Sequence, residues 1–289
     1  MILETHQTST AMNQLNGNQF HVDQQKCIRC GECVNECPVN ILVIGDTVPF
    51  VADGRSGDCI GCQHCLAVCP EGAVSVLGLK PEDSYQLDGT QMPSYLQLDR
   101  LLRGRRSVRR YVDEDIEPTV IQKLLQTAFH APSGRNDRRL SFSVIDRREV
   151  MNRFRKQTYE GLSDLLKNND LPTGYEFFAD IINGWTMYQV DVLFRWAPHL
   201  VVATVPVDSP SAEIDGIIGL SHFEIAAQSL GLGTLWNGLM KMSISLLPEL
   251  KIPLKIPEQN LLAFTMSFGK PEVSYARSVQ YEPLVRVVD

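Results

Sequence analysis

Apolar residues recur along this chain in two rhythms, and both run strongest beyond residue 100. Between Glu114 and His130 they fall at Val120, Ile121, Leu124, Leu125 and Ala128, the spacing of one helix face, with Pro118 where a helix can start. Leu140 to Asp146 (LSFSVID) alternates apolar and polar positions, as a half-buried strand does. Glu149 to Lys167 reads as a second helix. His199 to Val207 (HLVVATVPV) is a near-continuous run with many β-branched residues, the signature of a strand buried on both faces. Ala212 to Leu230 is helical in pattern and stopped by Gly231, and Asn260 to Gly269 is a further strand. The expectation is a small sheet covered by helices, with strand order left open. Residues 170–196 are crowded with aromatics, which suits either a channel lining or an apolar packing hairpin; packing is the reading adopted.

The front of the chain has neither rhythm. Residues 1–19 are polar, rich in Gln, Asn and Thr, and predict a tail. Two short apolar stretches, Ile41 to Ile44 and Ala73 to Leu77, suit paired strands. From Gly78 to Pro93 the sequence GLKPEDSYQLDGTQMP holds turn formers without periodicity and reads as a connection. The domain organisation expected is a tail at 1–19, a small domain at 20–78, a linker at 79–93 and a larger domain at 94–289.

Charge sharpens that division. Residues 1–99 hold 4 Lys and Arg against 12 Asp and Glu, whereas residues 100–289 hold 23 against 22. The acidic front and the neutral remainder point to different partners. At 289 residues with 44% hydrophobic content, the chain can bury a core without disulfide help.

All 8 cysteines lie between Cys27 and Cys69. A disulfide framework needs an oxidising compartment, but the N-terminal stretch lacks a basic segment followed by an apolar one. No apolar run approaches the roughly 18 residues of a membrane span. A reducing cytoplasm is therefore expected, where clustered thiols bind metal or do redox chemistry.

The cysteines repeat. Cys27, Cys30, Cys33 and Cys37 precede Pro38 with the same spacings as Cys59, Cys62, Cys65 and Cys69 before Pro70. Each run is C-x2-C-x2-C-x3-C-P, the bacterial ferredoxin pattern, in which the fourth cysteine ligates the other cluster. Cys27, Cys30, Cys33 and Cys69 are thus assigned to one 4Fe–4S cluster, and Cys59, Cys62, Cys65 and Cys37 to a second. Gly31 and Gly61 would relieve crowding where backbone approaches cluster sulfur. Structural zinc is the rival, but it usually comes as two C-x2-4-C pairs and fits two four-thiol runs poorly. His64 is read as facing solvent, since cysteines already fill every ligand position. Over roughly residues 20–78 the chain resembles a two-cluster ferredoxin.

A second chemical feature is the run Arg100, Arg103, Arg105, Arg106, Arg109 and Arg110, with Ser107 inside it. Alone it suits a nucleic-acid surface, a solvated helix face or a phosphate grip. RRSVRRY (Arg105 to Tyr111) is followed in order by APSGRN (Ala131 to Asn136), APHLVV, GLGTLWNG (Gly231 to Gly238) and FGKP with the later Arg277. In that order these motifs resemble the FMN-dependent nitroreductase family over roughly residues 95–289. The resemblance implies an α+β fold, a central sheet covered by helices, in a homodimer with FMN where the subunits meet.

Carried over by position, the resemblance assigns Arg105, Arg106 and Ser107 to FMN phosphate and ribityl oxygens, and Arg109 to the pyrimidine edge of the ring. Pro132, Ser133 and Asn136 match a loop reaching FMN from the partner subunit. Gly238 matches a main-chain position near flavin N5, and Arg277 a C-terminal phosphate contact. The chain departs from many relatives at Asp137-Arg138-Arg139-Leu140, where Gln-Pro-Trp is common, so the usual substrates do not carry over. No side chain is identified as an acid or base.

The function expected is that of an iron–sulfur flavoprotein oxidoreductase. Its two clusters exchange electrons with FMN, and a small organic acceptor (nitroaromatic, quinone or activated enone) is reduced with NAD(P)H or ferredoxin as donor. No separate G-x-G-x-x-G fingerprint is present. The alternatives are an electron carrier whose second domain only docks a partner and a redox-responsive nucleic-acid-binding module. Neither nucleic acid nor membrane is expected as a partner.

Overall fold

The structure is a computed structural model describing residues 19–87 and 89–288. All but the last residue of the expected polar tail lies outside the described residues. The chain falls into two compact units that divide between Met92 and Pro93, with Arg135–Asp137 grouped with the first.

The first unit contains β1 (Phe20–Val22), α1 (Glu32–Asn35), β2 (Leu42–Ile44), β3 (Pro49–Val51), α2 (His64–Ala67) and β4 (Val74–Val76). The two apolar stretches do form strands, but they do not pair with each other. β4 runs antiparallel to β1, and β2 to β3. Each pairs with a strand of three residues that is too short to show a period. The core joins Val22, Ile41, Leu42, Leu66, Ala73, Val74 and Val76 to Cys33 and Cys37. Two of the expected cluster ligands are therefore part of the hydrophobic centre.

The second unit contains α3 (Tyr95–Gly104), α4 (Pro118–Ala128), β5 (Ser141–Ile145), α5 (Arg148–Lys167), α6 (Phe178–Tyr188), β6 (His199–Pro206), α7 (Ala212–Ser229), β7 (Gly233–Trp236), α8 (Gly238–Leu246) and β8 (Asn260–Gly269). α3 starts at a capping box, Ser94 accepting from the Gln97 N–H while the Gln97 side chain returns to the Ser94 N–H. The four strands order β5-β6-β8-β7, and every pair is antiparallel.

β6 shows why a buried strand reads as one apolar run. Leu200 and Val202 point to one face, into a core with Met151, Phe154, Leu162, Ile182, Met240 and Ile244. Val201 and Ala203 point to the other, toward Ile121, Leu124, Leu220, Phe223 and Ala227. α7 approaches that second face closely: a Cβ at Gly216 would stand 2.2 Å from the Ala263 Cβ. The aromatic stretch 170–196 contains the helix α6, not a hairpin. Phe178 and Ile182 are buried, whereas Phe177, Met187, Tyr188 and Trp196 are exposed. Among the described residues no helix is long and apolar enough to cross a membrane.

His199, at the head of β6, is fully buried; its Nε2 accepts the Ile116 N–H at 3.0 Å and its Nδ1 faces the Ile145 carbonyl at 3.3 Å. Burial pulls its pKa below the ordinary value, although the Ile145 carbonyl, Asp115 and Asp146 oppose this. The unfolded chain then binds a proton that the folded one refuses. Stability should be full above about pH 6.5 and fall as pH drops below it, by at most about 1.4 kcal/mol per pH unit. Thermal midpoints between pH 7.5 and 5, compared with His199→Gln, check this; equal slopes for the two proteins would contradict it.

Candidate functional site

In the first unit each cysteine run makes a loop ahead of a one-turn helix, and the two loops share a backbone plan. The third and fifth residues of each run adopt positive φ: Arg29 at 59° and Gly31 at 80° in the first, Gly61 at 65° and Gln63 at 62° in the second. Glycine supplies the left-handed conformation once per loop, at different places, and a long polar side chain bears its strain at the other.

The loops wall two small cavities of like size. Cys27, Cys30, Cys33 and Cys69 line the first, and Cys37, Cys59, Cys62 and Cys65 the second. Each cavity thus takes three cysteines from one run and the fourth from the other. Among the described residues no three His, Cys, Asp or Glu side chains converge on a point where one metal ion could sit. Four thiols line each cavity, in the ligand grouping of a two-cluster ferredoxin.

Burial is the main perturbation of these thiols. Burial, then the nearby Cys69, pushes the Cys33 thiol up. Burial also raises Cys59, with Cys62 and Cys37 adding to it against the Gly61 N–H. Burial lifts Cys65 to about 12. Backbone N–H groups already point at sulfur, from Gly61 to Cys59 at 3.4 Å and from Ala73 to Cys69 at 3.2 Å. His64 is exposed, with Nδ1 at 3.3 Å from the Cys62 carbonyl.

In the second unit the arginine run divides. Arg100 and Arg103 lie on α3, and Arg103 pairs with Asp99 one turn back. Arg105 to Arg110 is extended backbone laid beside β7 and the segment after β8. Ser107 bridges Thr234, the Val108 N–H donates to the Thr234 carbonyl at 2.8 Å, and the Glu272 N–H donates to the Arg110 carbonyl at 3.0 Å. The segment is held by its backbone, and Arg110 adds an exposed ion pair to Glu272 at 3.3 Å.

Arg105 is partly engaged within the chain, since its Nη1 donates to Glu224 Oε1 at 3.2 Å. Glu224, 7% exposed, also accepts from Thr234 Oγ1 at 3.1 Å and Trp236 Nε1 at 3.0 Å. Arg106 is half-buried and has no ion-pair or hydrogen-bond partner among the described residues. Arg109 is exposed, its Nη1 reaching the Ser107 carbonyl at 3.4 Å. Arg277 is exposed beyond β8.

The 131–139 loop is tied at several points. Gly134 donates to the buried Asp215 Oδ1 at 3.0 Å, and the Arg138 N–H donates to Ser133 Oγ at 2.9 Å. The Arg138 guanidinium closes the turn on the Ala131 and Phe129 carbonyls. Pro132 is exposed. Asn136 groups with the first unit, where its Nδ2 donates to the Ile60 carbonyl at 2.9 Å.

Gly238 opens α8, and a Cβ built there would meet Phe264 at an ordinary 3.7 Å. Packing within the chain therefore does not require glycine at this position.

Sequence reasoning missed Glu224 and Asn237. Glu224 had a signal, the one acid in the otherwise acid-free stretch from Gly216 to Ala227 of α7, beside Phe223. Asn237 is an N-cap residue directly before α8, a helix that periodicity did not reveal.

Comparison with known proteins bears on both units. The profile of the nitroreductase family matches residues 102–270, and that of the 4Fe-4S dicluster domain matches residues 26–73. A ferredoxin of Methanothermococcus thermolithotrophicus is 39% identical over 57 residues, 19% of this chain and 92% of its own length. The crystal structure of a nitroreductase with bound FMN from Bacteroides fragilis superposes with a TM-score of 0.56 at 15% identity, covering 67% of this chain and 99% of that one. An FMN-dependent nitroreductase from Clostridium difficile superposes at 0.51 with 22% identity, covering 66% and 99%. At these identities the structural likeness shows the fold.

Proposed function

The chain belongs to the nitroreductase family and carries a 4Fe-4S dicluster domain ahead of it; from that premise we propose that it is an FMN-dependent oxidoreductase in which the clusters and the flavin exchange electrons and a small organic acceptor is reduced. The observation that carries this reading is the pair of crossed cysteine cages on the same chain as an extended arginine segment docked beside β7. When bound, the clusters supply single electrons and FMN supplies one- or two-electron chemistry. Covalent fusion holds carrier and flavin at high effective concentration.

The chain's own residues would do the binding. Cys27, Cys30, Cys33 and Cys69 hold one cluster, and Cys37, Cys59, Cys62 and Cys65 the other. Arg106, half-buried without a partner among the described residues, is the first candidate for the FMN phosphate dianion. Arg105 contributes the part of its fork that Glu224 leaves free, Ser107 a hydroxyl and Arg277 a second cation. Arg109 would place positive charge at the flavin pyrimidine, favouring the anionic reduced ring. Gly238 would let main chain approach flavin N5, and Pro132, Ser133 and Asn136 would reach the FMN of a partner subunit in a homodimer. Nitroaromatics, quinones and activated enones are the acceptor classes in view, with NAD(P)H or a reduced ferredoxin as donor. Eight cysteines with no disulfide among them suit a reducing cytoplasm.

Anaerobic reduction of the clusters with dithionite, followed by the flavin spectrum, tests the exchange. Flavin bleaching as the clusters re-oxidise is expected; flavin that stays oxidised while the clusters lose their electrons contradicts the scheme. Arg106→Ala should weaken FMN binding by about 1.5–3 kcal/mol, roughly tenfold to 150-fold. Its apoprotein should melt within about 1 °C of wild type, because no partner within the chain is lost. Undiminished flavin content on purification would count against the phosphate assignment.

A further inference from the structure

Asn237 is a hub. It is 3% exposed, and every polar atom it owns is engaged. Its backbone N–H donates to the Thr265 carbonyl at 2.9 Å, and its carbonyl accepts from Thr265 Oγ1 at 2.7 Å. Its Oδ1 accepts the Met240 N–H at 3.0 Å, capping α8. Its Nδ2 donates to the Leu193 carbonyl at 2.8 Å and to Ser267 Oγ at 2.9 Å. Thr265 and Ser267 are themselves fully buried in β8.

Capping a helix takes one side-chain oxygen, which serine would supply. The amide adds two donors that fasten the turn to β8 and to the backbone at Leu193. A buried polar network of this kind contributes uniqueness of geometry more than raw stability, provided every member is satisfied. Here every member is. The residue fixed by this network is the one that follows, Gly238. Its N–H, like that of Leu239, lies too early in α8 to have an acceptor within the helix. The position where the main chain comes free of side-chain bulk is thus joined directly to a residue whose every polar atom is engaged.

We propose that Asn237 is a positioning residue that sets the Gly238 main chain against N5 of the flavin and thereby tunes the flavin's reduction potential. This rests on the reading above that Gly238 faces flavin N5. Oxidised flavin carries a lone pair at N5 and accepts a hydrogen bond there; reduced flavin carries a hydrogen at N5 and does not. A donor held in register favours the oxidised ring, and one allowed to wander gives up that preference.

The test uses the full chain loaded with FMN, with the flavin midpoint potential measured by anaerobic spectroelectrochemistry. Asn237→Ser keeps a cap and loses both amide donors. It should weaken oxidised FMN binding about tenfold relative to reduced FMN, raising the two-electron midpoint by about 30 mV. Phe178→Leu, which softens the core of α6 and touches none of these hydrogen bonds, should lower the melting temperature and leave the potential in place. An Asn237→Ser protein that melts lower yet keeps the wild-type potential overturns the inference, as does an equal shift in Phe178→Leu. If Asn237→Ser does not fold, Ser267→Ala removes one acceptor of the same amide and should raise the midpoint in the same direction by a smaller step; no shift there overturns the inference as well. Wild-type protein that takes up no FMN would instead remove the reading on which the inference stands.

Discussion

Cys69→Ala protein, purified without oxygen, should lose about half its iron, and the loss should fall on the cluster whose other ligands lie some forty residues earlier in the chain. Cys69 lines the cavity of Cys27, Cys30 and Cys33, not the one of its own run. Double replacements make the assignment unambiguous. Cys33→Ala with Cys69→Ala should cost no more iron than Cys69→Ala alone, since both strip one cage. Cys65→Ala with Cys69→Ala should empty both. The opposite pattern would show that each run closes on its own cluster. The effect should reach the fold of the first unit, because Cys33 and Cys37 sit inside its small core with Ile41, Leu42 and Val74. A unit whose strands are three residues long has few other means of holding its halves together.

Asp191→Ala should be the most destabilising single change in the second unit. Arg155 is 3% exposed, and its Nε meets Asp191 Oδ2 at 2.8 Å. Asp191 also accepts from Tyr159 Oη at 3.0 Å and from the Phe194 and Trp196 N–H groups at 2.9 Å each. Burial pulls the Arg155 pKa down while Asp191 pulls it back up. Removing the carboxylate leaves a buried cation uncompensated, at a cost of about 3–5 kcal/mol. For a unit of this size that is a drop of roughly 6–20 °C in melting temperature. Calorimetry on Asp191→Ala checks it, and a loss under about 1 kcal/mol would contradict it. Arg155→Met with Asp191→Leu should recover only the part of the loss due to the unpaired charge, because Tyr159 Oη and the Phe194 and Trp196 N–H groups still lose their acceptor. The same network shapes the turn carrying Leu193, whose carbonyl holds Asn237, so the double variant should still disturb the flavin potential.

The grouping of the cysteines round two cavities was legible in the sequence because spacing is a local property: three thiols fall within seven residues of each run, and the repeated pattern predicts the fourth from the other run. The long elements were legible too, since α5, β6, α7 and β8 each run for eight residues or more without a turn signal. β6 could be read as doubly buried because Leu200 and Val201 enter different cores. The short elements were legible only in part: β2 and β4 lie in the two apolar stretches, and their partner strands gave no such signal. β1 and β3 have three residues each, and β7 hides in a glycine-rich motif. Strand order depends on packing between residues far apart in sequence, which no local pattern encodes. Arg105 illustrates the limit at the site: its neighbours suggest a phosphate, and only the fold brings Glu224 to it from 119 residues away.

The central claim is that two iron–sulfur clusters and a flavin share this chain. Counting iron, acid-labile sulfide and FMN per chain in freshly isolated anaerobic protein tests it most directly. The account predicts about eight irons, about eight sulfides and about one FMN. Zinc in place of iron, or a preparation with no flavin that binds none when it is supplied, would contradict it.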